Sequence, residues 1–116
     1  MLGDTENLTE ERVDDVLSKF LKDFKEDSLE TRGWSCLMAA YRVSKAALNA
    51  YTRIVAKNYP SFRINCLCPG LVKTDGNTAG ILTIDEGAES VVRLALLSND
   101  GPSGLFFDRN EVLSFV

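Results

Sequence analysis

Along residues 9–26, TEERVDDVLSKFLKDFKE, apolar side chains recur at Val13, Val16, Leu17, Phe20, Leu21 and Phe24. Steps of three and one put them on one stripe of a helix, with charged residues opposite. The pattern predicts a surface helix with one buried side. Thr9 is placed to cap it, and Glu10 and Glu11 suit the positive end of its dipole. A polar stretch then ends at Gly33, and Trp34 follows as an aromatic anchor. A second, alanine-rich helix is predicted over residues 35–58, carrying Leu48, Tyr51, Ile54 and Val55. It stops before Pro60, because proline drives the preceding residue out of the helical region.

Residues 62–68, FRINCLC, alternate Phe62, Ile64, Cys66 and Cys68 with Arg63, Asn65 and Leu67, then stop at Pro69-Gly70. This predicts a strand followed by a turn. Residues 70–80, GLVKTDGNTAG, read as a loop. Thr83 and Glu86 have capping-box spacing and open a helix over residues 83–97. Ala88, Val91, Val92, Ala95 and Leu96 are its expected buried side. NDGPSG is a turn cluster, LFF at 105–107 a short strand, and the tail EVLSFV too short to assign.

Strand, helix, strand predicts a right-handed parallel crossover, pairing residues 62–68 with 104–107. Two strands do not close a core of their own. One edge should therefore be open, and an open edge favours self-association. Ile54, Val55, Val91 and Leu94 are expected to lack full partners.

Composition narrows the chemistry. The 116 residues suffice for one modest domain, and the net charge is -4. Clustered basic residues are missing, which excludes a nucleic-acid partner. The chain has no histidine, so acid–base chemistry falls to Tyr, Lys, Asp, Glu or Cys. Cys36, Cys66 and Cys68 fit a reduced, cytoplasmic protein. Cys66 and Cys68 read as buried strand thiols and not as a zinc site, so no metal is expected. No membrane partner is expected either: no segment has the ~20 apolar residues of a span, and the acidic start MLGDTENLTEERVDD is no signal peptide.

The stretch AAYRVSKAALNAY, residues 39–51, places Tyr41 and Lys45 one helical turn apart. They are either two surface side chains or a phenol tuned by a cation. An ordinary phenol has a pKa of ~10, and a neighbouring ammonium favours its ionised form. Ala39, Ala40, Ala46 and Ala47 would let a ligand approach. In an open parallel sheet, ligands sit beyond the carboxyl ends of the strands, where Pro69-Gly70 lies. Tyr41 and Lys45 are therefore expected on one helix face opening toward residues 69–74.

YRVSKAALNAYTRIVA followed by INCLCPGLVKTD resembles the short-chain dehydrogenase/reductase family: Tyr41-x-x-x-Lys45 with Ser44 ahead of the lysine, then Pro69-Gly70-x-Val72-x-Thr74. RVDDVLSKFLKDFKEDSLETRGW before the tyrosine, and DEGAESVVRLALL with GPSGLFFDRNEV after it, resemble its plant carbonyl reductase subgroup, of the neomenthol dehydrogenase and salutaridine reductase type. The resemblance covers nearly the whole chain. It implies an α/β fold, the C-terminal part of one NAD(P)-binding Rossmann-type doubly wound parallel sheet. Residues 1–34 would be an insertion helix region. Residues 35–116 would hold the catalytic helix, the last two strands and the intervening helix.

The resemblance also implies roles. Tyr41 would be the general acid/base. Lys45 would bind the nicotinamide ribose and lower the tyrosine pKa. Pro69, Gly70, Val72 and Thr74 would meet the nicotinamide, with the carboxamide at Val72 and the carboxamide or phosphates at Thr74. NADPH would be the cofactor, and a ketone or secondary alcohol the substrate. In relatives the insertion covers a dimerisation surface, and many are monomers. The family's G-x-x-x-G-x-G turn is missing here, for Gly76, Gly80 and Gly87 follow the wrong element. Its Asn-Asn-Ala-Gly segment and catalytic serine are missing too, and Ser35 and Ser44 do not match that serine. The chain is thus expected to start inside the insertion and to carry the last two of seven strands. Two readings follow: a reductase completed by the missing half, or an inactive fragment that associates through its exposed edge.

Overall fold

The computed structural model describes residues 2–4 and 6–114. Contacts divide them into two compact units, one reaching to Ile54 and the other Val55–Ser114.

In the first unit, Thr9 is extended and its Oγ1 accepts from the Arg12 amide at 3.3 Å. This caps α1 (Glu10–Lys25) as its sequence predicts. The second helix, α2 (Ala39–Asn58), starts four residues later than expected. Met38 explains the delay, for its φ of 52° is left-handed and cannot continue a helix from residue 35. Val13 of α1 packs on Ala47, Ala50 and Ile54 of α2, with Leu2, Leu8 and Leu17 against them. Ile54 is 7% exposed, so it has the partners the sequence seemed to deny it. Leu21 and Phe24, counted on the buried stripe, are exposed. In their place the buried face continues through Phe20 to Asp23. Trp34 stands edge-on to Phe20 at 5.3 Å and donates its indole N–H to Asp23 Oδ2 at 2.8 Å. That bond satisfies a carboxylate otherwise too costly to bury.

The second unit holds β1 (Cys66–Cys68), α3 (Ile84–Ala95), β2 (Phe106–Asp108) and β3 (Glu111–Leu113). β1 and β2 are parallel, in register Cys66↔Phe106, Leu67↔Phe107 and Cys68↔Asp108. β1 is shorter than the alternating run because side chains intercept the backbone before it. Ser103 Oγ accepts from the Ile64 amide and donates to the Phe62 carbonyl, while Asn65 reaches Pro102 O and the Leu105 amide. β3 adds an antiparallel strand to β2, so the sheet has three strands in order β1-β2-β3, not two. Arg109, at φ 54°, makes the turn, and Arg93 Nη2 donates to Arg109 O and to Asn110 Oδ1. Among the described residues β1 is an edge strand.

α3 corrects the sequence reading most. Its buried residues are Gly87 and Ser90, with Leu94 half-buried, and half-buried Leu97 just past its end continues the stripe at steps of three and four. Ala88, Val91, Val92, Ala95 and Leu96 lie on the other side and are exposed, Leu96 at 78%. The inner face is the one on which the Gly87 backbone meets the Val72 side chain.

The capping box of α3 is complete. Glu86 Oε2 accepts from the Thr83 amide at 2.7 Å, and Thr83 Oγ1 from the Glu86 amide at 3.1 Å. Those Thr83 hydrogen bonds, backbone first, hold the Glu86 carboxyl below its ordinary value, helped weakly by Arg109. A depressed carboxyl stabilises the fold above its unfolded pKa and ceases to do so as pH falls through the folded one. Wild type should therefore exceed Glu86→Gln in stability near neutrality, with the gap closing below about pH 4. Urea melts across that range check it, and a gap independent of pH contradicts it.

Candidate functional site

Tyr41 and Lys45 lie in the first turns of α2, in the first unit. Lys45 Nζ stands 5.7 Å from the Tyr41 ring centroid, within range of a cation–π contact. Tyr41 is 57% exposed and Lys45 is exposed, so both polar tips are open to a ligand. Ser44 donates its hydroxyl to the Tyr41 carbonyl at 2.8 Å and is occupied within the helix. Of the four small neighbours, Ala40 and Ala46 are exposed, while Ala39 and Ala47 are buried.

Pro69, Gly70, Val72 and Thr74 follow β1 on one loop of the second unit. Gly70 has φ +86°, and a Cβ there would stand 2.7 Å from Leu82 Cδ1. Only glycine satisfies both conditions. The loop is tied rather than loose. Val72 bridges Leu82, the Lys73 amide donates to Leu82 O at 2.8 Å, and the Ile81 and Leu82 amides donate to Leu71 O. Asn77, which the sequence did not single out, donates its side-chain amide to Val72 O at 3.3 Å and its backbone amide to Thr74 Oγ1 at 3.1 Å. Asparagine in a glycine-rich turn was the available signal, but many such turns bind nothing.

Gly87, set aside in the sequence as no part of a phosphate turn, has a packing role. Glycine inside a helix costs about 1 kcal/mol relative to alanine, so its presence in a well-capped helix calls for a cause. A Cβ on Gly87 would overlap Val72 Cγ2 and lie 3.2 Å from Cγ1. The α3 backbone thus rests directly on the side chain of Val72.

The Thr74 hydroxyl accepts from Asn77 and keeps its proton to donate. The Val72 carbonyl keeps a lone pair beyond the Asn77 bond. The loop thus offers one free donor and one free acceptor, and in the first unit the exposed Lys45 ammonium offers donors of its own. No G-x-x-x-G-x-G phosphate turn occurs in the 116 residues. Among the described residues no cluster of three or more His, Cys, Asp or Glu could hold a metal, and no helix is long and apolar enough to cross a membrane.

The family described as enoyl-(acyl carrier protein) reductase matches residues 28–103. A (+)-neomenthol dehydrogenase of Capsicum annuum is 60% identical over 116 residues, which are 99% of this chain and 37% of the relative. The solved structure of salutaridine reductase from Papaver somniferum superposes with a TM-score of 0.87 at 58% identity, covering 91% of this chain and 36% of that one. Carbonyl reductase [NADPH] 3 of Rattus norvegicus is 40% identical over 102 residues, 82% of this chain and 36% of that protein. The chain thus spans little more than a third of the length of these relatives. Its α/β architecture is that of part of a Rossmann-type domain, and the chain belongs to the short-chain dehydrogenase/reductase family.

Proposed function

We propose that these residues supply the nicotinamide side of an NADPH-dependent carbonyl reductase acting on a ketone or the matching secondary alcohol. The observation that carries this reading is the solvent-open pair on α2, with Lys45 Nζ 5.7 Å from the Tyr41 ring. The Tyr41 hydroxyl gives its proton to the carbonyl oxygen of the ketone, or accepts one from the alcohol in the reverse direction. Lys45, one helical turn from the phenol, holds the ribose hydroxyls with its ammonium. The loop of Pro69, Gly70, Val72 and Thr74 orients the carboxamide through the Val72 carbonyl and the Thr74 hydroxyl. NADPH, when bound, supplies the hydride.

The names of the neomenthol dehydrogenase, salutaridine reductase and NADPH-dependent carbonyl reductase relatives support this reading. A titration of the labelled chain with millimolar NADPH, read by amide NMR shifts, tests it. Shifts are expected at Tyr41, Lys45, Val72 and Thr74. Shifts scattered over the chain, or none, contradict it.

A second reading has its own observation. β1 is an edge strand, and Ile81, Val91, Val92 and Leu96 are exposed. Edge strands and apolar surface both favour association. Expressed alone, the 116 residues should self-associate and show no measurable ketone reduction, because the phosphate turn and the serine are missing from them. Light scattering after size exclusion, with an NADPH assay on the same fractions, checks both points. A monodisperse monomer contradicts the first, and turnover abolished by Tyr41→Phe contradicts the second.

A further inference from the structure

Three contacts converge on Val72. Its side chain meets the α3 backbone at Gly87, where a Cβ would overlap Cγ2. Its carbonyl accepts from Asn77 Nδ2 at 3.3 Å, and its amide donates to Gly70 O at 3.0 Å. The chain returning toward Leu82 passes so close that a Cβ on Gly80 would overlap the Val72 and Lys73 backbone. Gly87 itself is fixed in the capped first turns of α3, its amide donating to Thr83 O at 3.0 Å. α3 is therefore a rigid stop for Val72, and the thickness of residue 87 sets where that stop lies.

We propose that Gly87 is a positioning residue: by lacking a Cβ it lets Val72 sit at the depth from which its backbone and Thr74 meet the nicotinamide carboxamide. The proposal rests on the functional reading above. Any side chain at position 87 displaces Val72 away from α3, and the carbonyl, the Asn77 bond and the Thr74 hydroxyl move with it. Cofactor affinity is then set partly through the packing of α3 on this loop.

The test compares wild type, Gly87→Ala, Val72→Ala and the double variant by amide NMR and NADPH titration of the whole chain. Gly87→Ala should move the Val72, Thr74 and Asn77 amides before NADPH is added, and weaken NADPH binding at least about fivefold. Against Val72→Ala, which removes the overlapped methyl groups, the same substitution should change affinity less than about twofold. A merely structural glycine would lower the melting midpoint while leaving the affinity of the folded chain intact, with no rescue. Val72→Ile adds a methyl from the opposite side of the contact. It should reproduce the affinity loss, and it decides the matter if Gly87→Ala does not fold. Loop shifts with NADPH that are equal in wild type and Gly87→Ala overturn this proposal alone. No loop shifts in wild type overturn it together with the functional reading.

Discussion

Tyr41→Phe should reduce ketone turnover by between about a hundredfold and ten-thousandfold, the usual contribution of a positioned general acid. The assay needs a complete dinucleotide site. A suitable enzyme is a hybrid in which residues 1–116 replace the equivalent segment of the Papaver somniferum salutaridine reductase, 58% identical to this chain. The substitution removes one oxygen atom from a side chain that is 57% exposed. It should therefore leave stability within about 0.5 kcal/mol. The loss should fall on kcat, since the proton moves only in the chemical step. A Tyr41→Phe hybrid with unimpaired kcat would return Tyr41 and Lys45 to the status of two surface side chains.

Ile54→Ala should cost between about 2 and 5 kcal/mol of stability, the range for truncating a buried aliphatic side chain. Ile54 is 7% exposed and shares a cluster with Val13, Ala47 and Ala50, the last only 2% exposed. That cluster joins α1 to α2, and Leu2, Leu8 and Leu17 around it set how far the hole can close. Leu96→Ala is the contrast, for Leu96 is largely exposed and its loss should change stability by less than about 0.5 kcal/mol. Denaturant melts of both variants measure the difference. Equal effects would mean that α3, not the α1–α2 pair, carries the apolar core.

Much of this molecule is legible as pattern, because caps and turns are local. Thr9, Gly33, Gly70 and the Thr83–Glu86 box occupy the roles their chemistry predicts. The parallel pairing of β1 with β2 follows from the crossover rule. The sequence is less informative wherever a tertiary contact outweighs the period. A left-handed Met38 delays α2, and Ser103 and Asn65 shorten β1. The inner face of α3 is chosen by how closely Gly87 approaches Val72, not by hydrophobicity. β3 was illegible because three exposed residues are too few to carry a period. The tyrosine, the lysine and the loop after β1 are recognisable as motifs. Asn77 and Gly87, which contact that loop, carry only weak signals, an asparagine in a glycine-rich turn and a glycine inside a helix.

The most direct measurement is alcohol formed per NADPH consumed by the hybrid reductase carrying residues 1–116, with a simple cyclic ketone as substrate. If these residues are the nicotinamide side of a carbonyl reductase, NADPH is oxidised only when the ketone is present, and one alcohol appears for each NADPH lost. A hybrid that folds and binds NADPH yet forms no alcohol from any ketone offered would contradict that assignment.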